Sequence, residues 1–324
     1  MVLVGLAAGH HALLRSLDGS LDREGLDRLA IRVGLSPGDV AELLGLLAER
    51  GLLLDASAPG AHPGQTDDER ARLAPDLVSL ALRHGAAAAA RAAFHRRSTS
   101  WVDVRGAGRV GSAIATLLGA AGVGRVSVAD PIPAAPADQS PAGLTRLAAG
   151  GSRELATRER VRAVAGSVRV ARQAAPASPH LVVLAPDAGP DSALVTTWSR
   201  RTIPHLLAFV RETTGVVGPL VVPGQTGCLI CLDLHRRDRD PGWPVVASQL
   251  GRGSAGSACD VALATLVAAQ AAMQVLAYLD GTGTAVQDGT LETSLRTGVT
   301  RRRSWSPHPT CGCRWAQAAV DPPD

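Results

Sequence analysis

The stretch Val102-Asp103-Val104-Arg105-Gly106-Ala107-Gly108-Arg109-Val110-Gly111-Ser112 decides the fold. Its β-branched start predicts a strand, and its Gly-x-Gly-x-x-Gly pattern predicts a tight turn. Residues 113–121, which follow, are predicted to form a helix. Gly106 permits the sharp turn, and Gly108 lets the backbone approach a phosphate. Gly111 lets the new helix lie close to the sheet, so that its free N–H groups face an anion. A glycine-rich turn that binds nothing is the alternative interpretation.

Two acidic residues end later strands of the same pattern. A strand over residues 126–129 ends at Asp130, where folds of this type hydrogen-bond a ribose hydroxyl. A strand over residues 181–184 leads to Asp187, at the strand end where open α/β sheets place ligands. The pattern predicts further elements, namely a helix over 153–164 and strands over 168–171, 205–210 and 216–222. The sequence therefore predicts an α/β, Rossmann-like, mostly parallel sheet with flanking helices.

Composition narrows the class of protein. The 324 residues are 46% hydrophobic with a net charge of +4, which is enough for a sizeable core and gives no reason to expect nucleic acid. Residues 261–279 form the most membrane-like stretch, but Asp260 and Asp280 bracket it, which predicts a buried helix rather than a span. Residues 1–8 lack the basic start of a signal peptide. We expect a cytoplasmic protein with no membrane partner.

The pattern of the N-terminal segment, residues 1–57, predicts a small winged-helix-like domain. Short helices are predicted over residues 11–17 and 22–33, and Ser36 caps a third over 40–50. Residues 52–54 then predict a short strand or wing. A Pro- and Gly-rich linker and a helical segment over 58–99 follow, before the Rossmann domain over 100–324. Arg96 and Arg97, just ahead of the first strand, are expected to be solvated.

The charge of this N-terminal segment opposes DNA binding. Acidic side chains outnumber arginines, and the candidate recognition helix carries Asp39, Glu42 and Glu49. A helix that enters the major groove must approach a dense line of phosphates, which repels such a surface. Peptide recognition and a helical cap that packs on the core both stay open.

Four of the five cysteines form two tight pairs, Cys228-Leu229-Ile230-Cys231 and Cys311-Gly312-Cys313. Four thiolates in this pattern predict a closed tetrahedral zinc site of structural type. The fifth, Cys259, opens the alanine-rich helix. That position favours a nucleophile, but a small buried apolar residue is the more common fate of such a cysteine.

The glycine turn, the acid after the next strand, the later Asp and the split Cys pairs together resemble the ThiF/MoeB family of the ubiquitin-activating-enzyme superfamily, over residues 100–315. The resemblance implies that the protein binds ATP with Mg²⁺, adenylates the C-terminal glycine of a small β-grasp protein and forms a homodimer. It assigns nucleotide binding to Gly106, Gly108, Gly111, Ser112 and Asp130, Mg²⁺ binding to Asp187, and zinc binding to Cys228, Cys231, Cys311 and Cys313.

The sequence also departs from the family pattern. The family's arginine that contacts the triphosphate is missing from residues 136–140, and a chain without lysine cannot supply its phosphate-binding lysine. Arg158 or Arg160 could stand in. Cys259 does not fall at the position of the family's catalytic cysteine.

Three functional hypotheses follow. The first is a ThiF-like adenylyltransferase that acts on the tail of a peptide or small protein. The second is a non-catalytic partner that holds a leader or precursor peptide for an enzyme modifying ribosomal peptides, with a degraded ATP site. It follows from the resemblance of the front half to precursor-peptide-binding proteins of azole-peptide biosynthesis. The third, a redox-sensing regulator with a nicotinamide-binding domain, leaves the Cys pairs unexplained.

Overall fold

A computed structural model describes residues 4–50, 52–53, 66–145, 150–171, 178–187, 189, 197–250 and 258–314. The chain divides into two compact units, Met1–His95 and Arg96–Asp324. The predicted boundary at residue 57 and the predicted linker after it lie outside the described residues.

The described part of the first unit is helical. Its helices are α1 (Ala8–Arg15), α2 (Arg23–Arg32), α3 (Pro37–Glu49), α4 (Asp67–His84) and α5 (Ala87–Thr99), the last of which crosses into the second unit. Ser36 and Asp39 form the capping box expected at the start of α3, because each side chain accepts from the other's backbone N–H. Leu13, Val40, Leu43 and Leu47 form the buried centre of the first three helices.

The predicted wing is not confirmed. Leu52 and Leu53 form no strand, and Leu54 lies outside the described residues. The backbone N–H of Leu52 donates to the Leu47 carbonyl at 2.8 Å, so the chain closes the end of α3 as a turn. Leu53 then packs against the helical core instead of extending away from it.

The described strands of the second unit form one sheet in the order β3-β2-β1-β4-β5-β6-β7-β8. The strands are β1 (Trp101–Arg105), β2 (Arg125–Ala129), β3 (Arg169–Ala171), β4 (Leu181–Leu184), β5 (His205–Arg211), β6 (Thr214–Val221), β7 (Gly289–Ser294) and β8 (Thr300–Ser304). The pairs β3–β2, β2–β1, β1–β4 and β4–β5 are parallel, and the pairs β5–β6, β6–β7 and β7–β8 are antiparallel. The predicted mostly parallel sheet is therefore present, with an antiparallel extension at one side.

Helices cover both faces of the sheet, as the alternation of strand side chains requires. On one face, α6 (Arg109–Ala120), α7 (Arg153–Val164) and α10 (Val261–Asp280) pack on Val102, Val104, Val183 and Leu206. On the other face, α8 (Leu229–Arg239) packs on Val182, Leu207 and Phe209. A further helix, α9 (Trp243–Leu250), follows α8, and residues 197–200 are also helical.

Among the described helices, α10 alone is long and apolar enough to cross a membrane by length and composition. Its Leu263, Val267, Ala271 and Val275 are buried in the same core as the central strands. The side chain of Asp260 caps its first turn by accepting from the backbone N–H groups of Ala262 and Leu263. The prediction of a buried helix over residues 261–279 is thus confirmed.

The expectation that Arg96 and Arg97 are solvated is wrong for Arg97. This side chain is 4% exposed, and its Nε and Nη2 donate to the two carboxylate oxygens of Asp280 at 3.1 and 2.6 Å. Its Nη1 donates to the Ala121 carbonyl at 3.1 Å, and Arg96 donates to the backbone oxygen of Asp280. A buried ion pair therefore joins the end of α10 to the last turn of α5.

Candidate functional site

The turn between β1 and α6 is as tight as the three glycines require. Gly106 has φ +100°, and a Cβ on it would overlap the carbonyl oxygen of Ala185. A Cβ on Gly111 would overlap the carbonyl oxygen of Gly106. Because both obstacles are backbone atoms, no side chain is tolerated at either position without opening the turn. The turn is thereby held against the end of β4.

This turn lies where the strand order changes direction. The strands that pair with β1 are β2 on one side and β4 on the other, and the crevice beyond their carboxyl ends is the usual ligand site of open α/β sheets. Asp187 follows β4 into this crevice, so close to the turn that a Cβ on Gly108 would overlap its Oδ1. The N-terminus of α6, with its unpaired N–H groups, faces the same place.

Asp130 holds the turn from the β2 side. Its Oδ2 accepts from the backbone N–H of Ala107 at 2.6 Å, and its Oδ1 accepts from that of Ile132 at 2.8 Å. Burial raises the pKa of the Asp130 carboxyl, and these two hydrogen bonds oppose the shift. Asp130 thus ties the glycine turn to the end of β2.

Arg153 is the cation at this site. It is the first residue of α7, and its Nη1 donates to Asp187 Oδ2 at 2.6 Å and lies 3.7 Å from Asp130 Oδ2. Its Nε donates to Asp138 Oδ2 at 2.6 Å, and its Nη2 donates to the other oxygen of Asp138. Burial opposes its charge, but hydrogen bonds to Asp138 and Asp187 more than offset this and raise its pKa. We call Asp130, Asp138, Arg153 and Asp187 the carboxylate–arginine cluster.

The cluster has the chemistry of a site for Mg²⁺ with a nucleotide. The cluster has three carboxylates and one guanidinium, so its negative charges outnumber its positive one. Mg²⁺ binds through one or two carboxylates together with substrate phosphates. The side chain of Asp187 is 43% exposed, whereas those of Asp130 and Asp138 are below one tenth. Asp187 is therefore the most accessible carboxylate of this cluster for a ligand in the crevice.

The four paired cysteines meet in space, as their pattern predicts. Cys228 caps the start of α8, and its Sγ lies 3.8 Å from that of Cys231 and 3.6 Å from that of Cys311. The Sγ atoms of Cys231 and Cys313 are 3.5 Å apart, and all four lie within 4.8 Å of one another. A tetrahedral ion with Zn–S bonds of about 2.3 Å separates its sulfurs by about 3.8 Å. The thiol cluster, defined by these four cysteines, therefore fits zinc.

The family comparison agrees with this arrangement. It matches residues 86–314, which include the glycine turn, the carboxylate–arginine cluster and the thiol cluster, to the ThiF family. The chain belongs to the ThiF family. No curated protein matches the sequence.

Solved structures show the same fold as this ThiF-family chain at low sequence identity. E. coli MccB with ATP is 15% identical with a TM-score of 0.65, over 88% of this chain and 84% of that one. The microcin C7 biosynthetic enzyme MccB in complex with N-formylated MccA is 13% identical with a TM-score of 0.65, over 95% and 86%. PaaA is 16% identical with a TM-score of 0.66, over 94% and 92%.

Two other residues of the ThiF-family turn have structural partners. Ser112 is fully buried, and its hydroxyl donates to the Gly108 carbonyl at 2.7 Å, one helical turn back. Arg109 Nε donates to the Ala137 carbonyl at 2.6 Å, and its Nη1 donates to the Cys259 carbonyl at 2.5 Å. Arg109 thus ties the start of α6 to the two loops beside it.

The two arginines suggested by sequence as phosphate contacts lie further along α7. Arg158 pairs with Glu154 on its own helix at 3.1 Å, and Arg160 is half-buried. The structure instead brings Arg153 to Asp187, a pairing that the sequence analysis missed. One signal was available, because an arginine at the first position of a helix opposes the helix dipole and needs acidic partners.

Cys259 precedes Asp260, the N-cap of α10, and packs against the core of the sheet. Burial raises the pKa of its thiol, although the nearby Arg109 opposes the shift. A protonated, packed thiol favours the interpretation of Cys259 as a small buried residue over that of a nucleophile.

Gly111→Ala is expected to disrupt this ThiF-family site. The added methyl overlaps the Gly106 carbonyl oxygen, so the turn must open. We expect affinity for a fluorescent ATP analogue, measured by titration, to fall at least about tenfold, the effect of about 1.4 kcal/mol. Gly45→Ala is the control, since Gly45 lies in α3 with open space around it. Unchanged affinity in Gly111→Ala would show that the turn does not hold the nucleotide.

Proposed function

We propose that this protein adenylates the carboxyl end of a peptide or small protein, using ATP and Mg²⁺. The observation that carries the proposal is the carboxylate–arginine cluster beside the glycine turn. In this reaction a carboxylate oxygen of the acceptor bonds to the α-phosphorus of ATP, and the bond to the departing pyrophosphate breaks. Negative charge builds on the phosphates, and cations placed in advance stabilise it.

Each member of the site has a role in the proposal. The N–H groups at Gly108 and Gly111 and the start of α6 bind phosphate oxygens, and the buried hydroxyl of Ser112 holds that start in place. Gly106 contributes the shape of the turn, because its own N–H donates to the Ala129 carbonyl at 3.0 Å. Asp130 binds the ribose, and Asp187 binds Mg²⁺. Arg153, rather than Arg158 or Arg160, contacts the phosphates, because it is the arginine hydrogen-bonded to Asp187.

This arrangement favours catalysis over the non-catalytic alternative. That alternative rests on a phosphate site degraded by the loss of the family's lysine and arginine. The cluster nevertheless contains a guanidinium with an opposing carboxylate at 2.6 Å. A charged group suited to phosphate is therefore retained in a chain that has no lysine.

The remaining features of the proposal come from the family resemblance and from the neighbours. Structures of MccB contain ATP in one case and N-formylated MccA in another, which supports a nucleotide and an acceptor for the fold. We propose that residues 1–57 contribute to acceptor recognition and that the thiol cluster holds structural zinc. We further propose that the protein works in the cytoplasm as a homodimer, without nucleic acid or membrane.

The test is ATP–pyrophosphate exchange with synthetic peptides that carry either a free or an amidated carboxyl end. We expect exchange only with free carboxyl ends and only with Mg²⁺. Asp187→Asn is expected to lower the exchange rate at least about a hundredfold, the scale of removing one preorganised electrostatic group. Asp240→Asn, which alters an exposed carboxylate after α8, is the control and should leave the rate unchanged. Absence of ATP binding by calorimetry, with and without Mg²⁺, would contradict the proposal.

A further inference from the structure

Arg153 is held from two sides by carboxylates of different character. Asp138 engages two of its nitrogens, Nε and Nη2, in the paired geometry of a guanidinium and a carboxylate. The third nitrogen, Nη1, is directed to Asp187 Oδ2 at 2.6 Å. The side chain of Arg153 is 9% exposed, and Arg153 is the first residue of a helix, so its charge depends on these two partners and on Asp130 at 3.7 Å.

Asp138 is built as a fixed support. It ends a short 3₁₀ turn, Pro136–Asp138, and its Oδ2 accepts from the backbone N–H of Ala135 at 2.8 Å. Its side chain is buried together with that of Arg153. This support fixes the plane of the guanidinium and leaves Nη1 as the end that faces the crevice.

Asp187 is the carboxylate of the cluster that is free to change its binding partner. It is the one member of the cluster with a substantially exposed side chain, and Asp138 and Asp130 already accept backbone N–H groups. Its Oδ2 is occupied by Arg153, although the proposed function needs this carboxylate for Mg²⁺. A cation and a guanidinium cannot share one oxygen at this distance without strong repulsion.

We propose that Arg153 occupies the cation position on Asp187 until ATP and Mg²⁺ bind, and that Asp138 is the positioning residue that keeps Arg153 in place during the exchange. This inference rests on the proposed function. On binding, Asp187 releases Nη1 and takes the metal, while Nη1 turns to a phosphate oxygen and Asp138 keeps Nε and Nη2. Metal alone therefore binds weakly, and metal and nucleotide favour each other's binding.

The test measures binding of Mn²⁺, used in place of Mg²⁺, by electron paramagnetic resonance with the full chain. For the unaltered protein we expect weak Mn²⁺ binding that a non-hydrolysable ATP analogue strengthens about tenfold or more. Arg153→Gln frees Asp187, so we expect Mn²⁺ alone to bind about tenfold more tightly and the analogue to bind more weakly. Arg153→Lys retains the charge and should restore weak binding of Mn²⁺ alone.

The variant Asp138→Asn tests whether Asp138 positions Arg153, separately from the effect of the charge on Arg153. Arg153 then keeps Asp187, and Asp130 at the longer distance of 3.7 Å, as its charged partners. Mn²⁺ alone should therefore still bind weakly, whereas affinity for the analogue should fall about tenfold. Glu159→Gln is the matched control, because it removes an exposed carboxylate from the same helix, about 9 Å further along its axis. We expect it to change neither affinity.

The outcomes separate this inference from the proposed function. If the unaltered protein binds no ATP analogue, the proposed function fails, yet the comparison of Mn²⁺ binding in Arg153→Gln still tests the exchange. If Arg153→Gln binds Mn²⁺ no more tightly than the unaltered protein, the exchange is wrong. If Asp138→Asn binds the analogue as well as Glu159→Gln does, Asp138 has no positioning role.

Thermal unfolding with and without Mn²⁺ checks that each variant is folded, since Mn²⁺ should stabilise Arg153→Gln more than the unaltered protein.

Discussion

Removal of the metal from the thiol cluster is expected to unfold the second unit, Arg96–Asp324. We expect the protein to be purified with one zinc ion per chain at this cluster. Cys228, Cys231 and Cys311 are buried in the same core as Val182, Leu207 and Phe209. Without a metal, that core must hold four polar sulfurs within 4.8 Å of one another. Structural zinc contributes about 10 kcal/mol or more in small zinc domains. We expect a chelator to lower the unfolding temperature sharply, as followed by circular dichroism.

Two cysteine variants provide the matched comparison. Cys311→Ser removes one of the four thiols, and we expect loss of bound zinc by elemental analysis together with loss of stability. Cys259→Ser makes the same chemical change at a cysteine outside the thiol cluster and should retain the full zinc content. A purified protein without zinc, or a Cys311→Ser variant that melts like Cys259→Ser, would contradict a structural metal centre.

Loss of the Asp280 carboxylate is expected to have the second largest effect. Asp280 is fully buried, and Asp280→Ala leaves the guanidinium of Arg97 in the interior without its charge partner. Breaking a buried ion pair on one side costs about 3–5 kcal/mol. We expect a loss of this size in the free energy of unfolding, measured by denaturation in urea.

An exposed ion pair of the same length serves as the control. Arg303 Nε lies 2.6 Å from Glu292 in the β7–β8 pair, with the arginine side chain 55% exposed. Arg303→Ala should cost only about 0.2–1 kcal/mol, because water replaces the lost partner. The double variant Arg97→Met with Asp280→Leu should recover most of the stability, since it leaves no unpaired buried charge. Equal losses in Asp280→Ala and Arg303→Ala would show that the Arg97–Asp280 pair is not the cause.

Much of the fold was predictable because its signals are local. The glycine turn, the capping box at Ser36 and the strands β1, β2 and β4 each depend on residues within a few positions of one another. The pairing of the cysteines was also predictable, since the chemistry of four thiols at this spacing allows few other solutions.

The missed features depend on contacts between residues distant in the sequence. Arg97 and Asp280 are 183 positions apart, and nothing near Arg97 distinguishes it from a solvated arginine. Asp138 lies in a stretch whose pattern predicts a loop, and its partner Arg153 begins a helix on which the sequence analysis named only Arg158 and Arg160 as phosphate contacts. Which of these arginines reaches Asp187 is decided by where α7 starts relative to the sheet. The sequence pattern defines that geometry only within a residue or two.

The thiol cluster also bears on the order in which the protein assembles. Its two halves are separated by 83 positions between Cys228 and Cys311, and α10, β7 and β8 lie between them. Bringing such distant segments together in an unfolded chain is opposed by loop-closure entropy. The intervening elements reduce that cost once they have formed, so we expect a metal centre at this cluster to be completed only after the sheet's antiparallel side has folded.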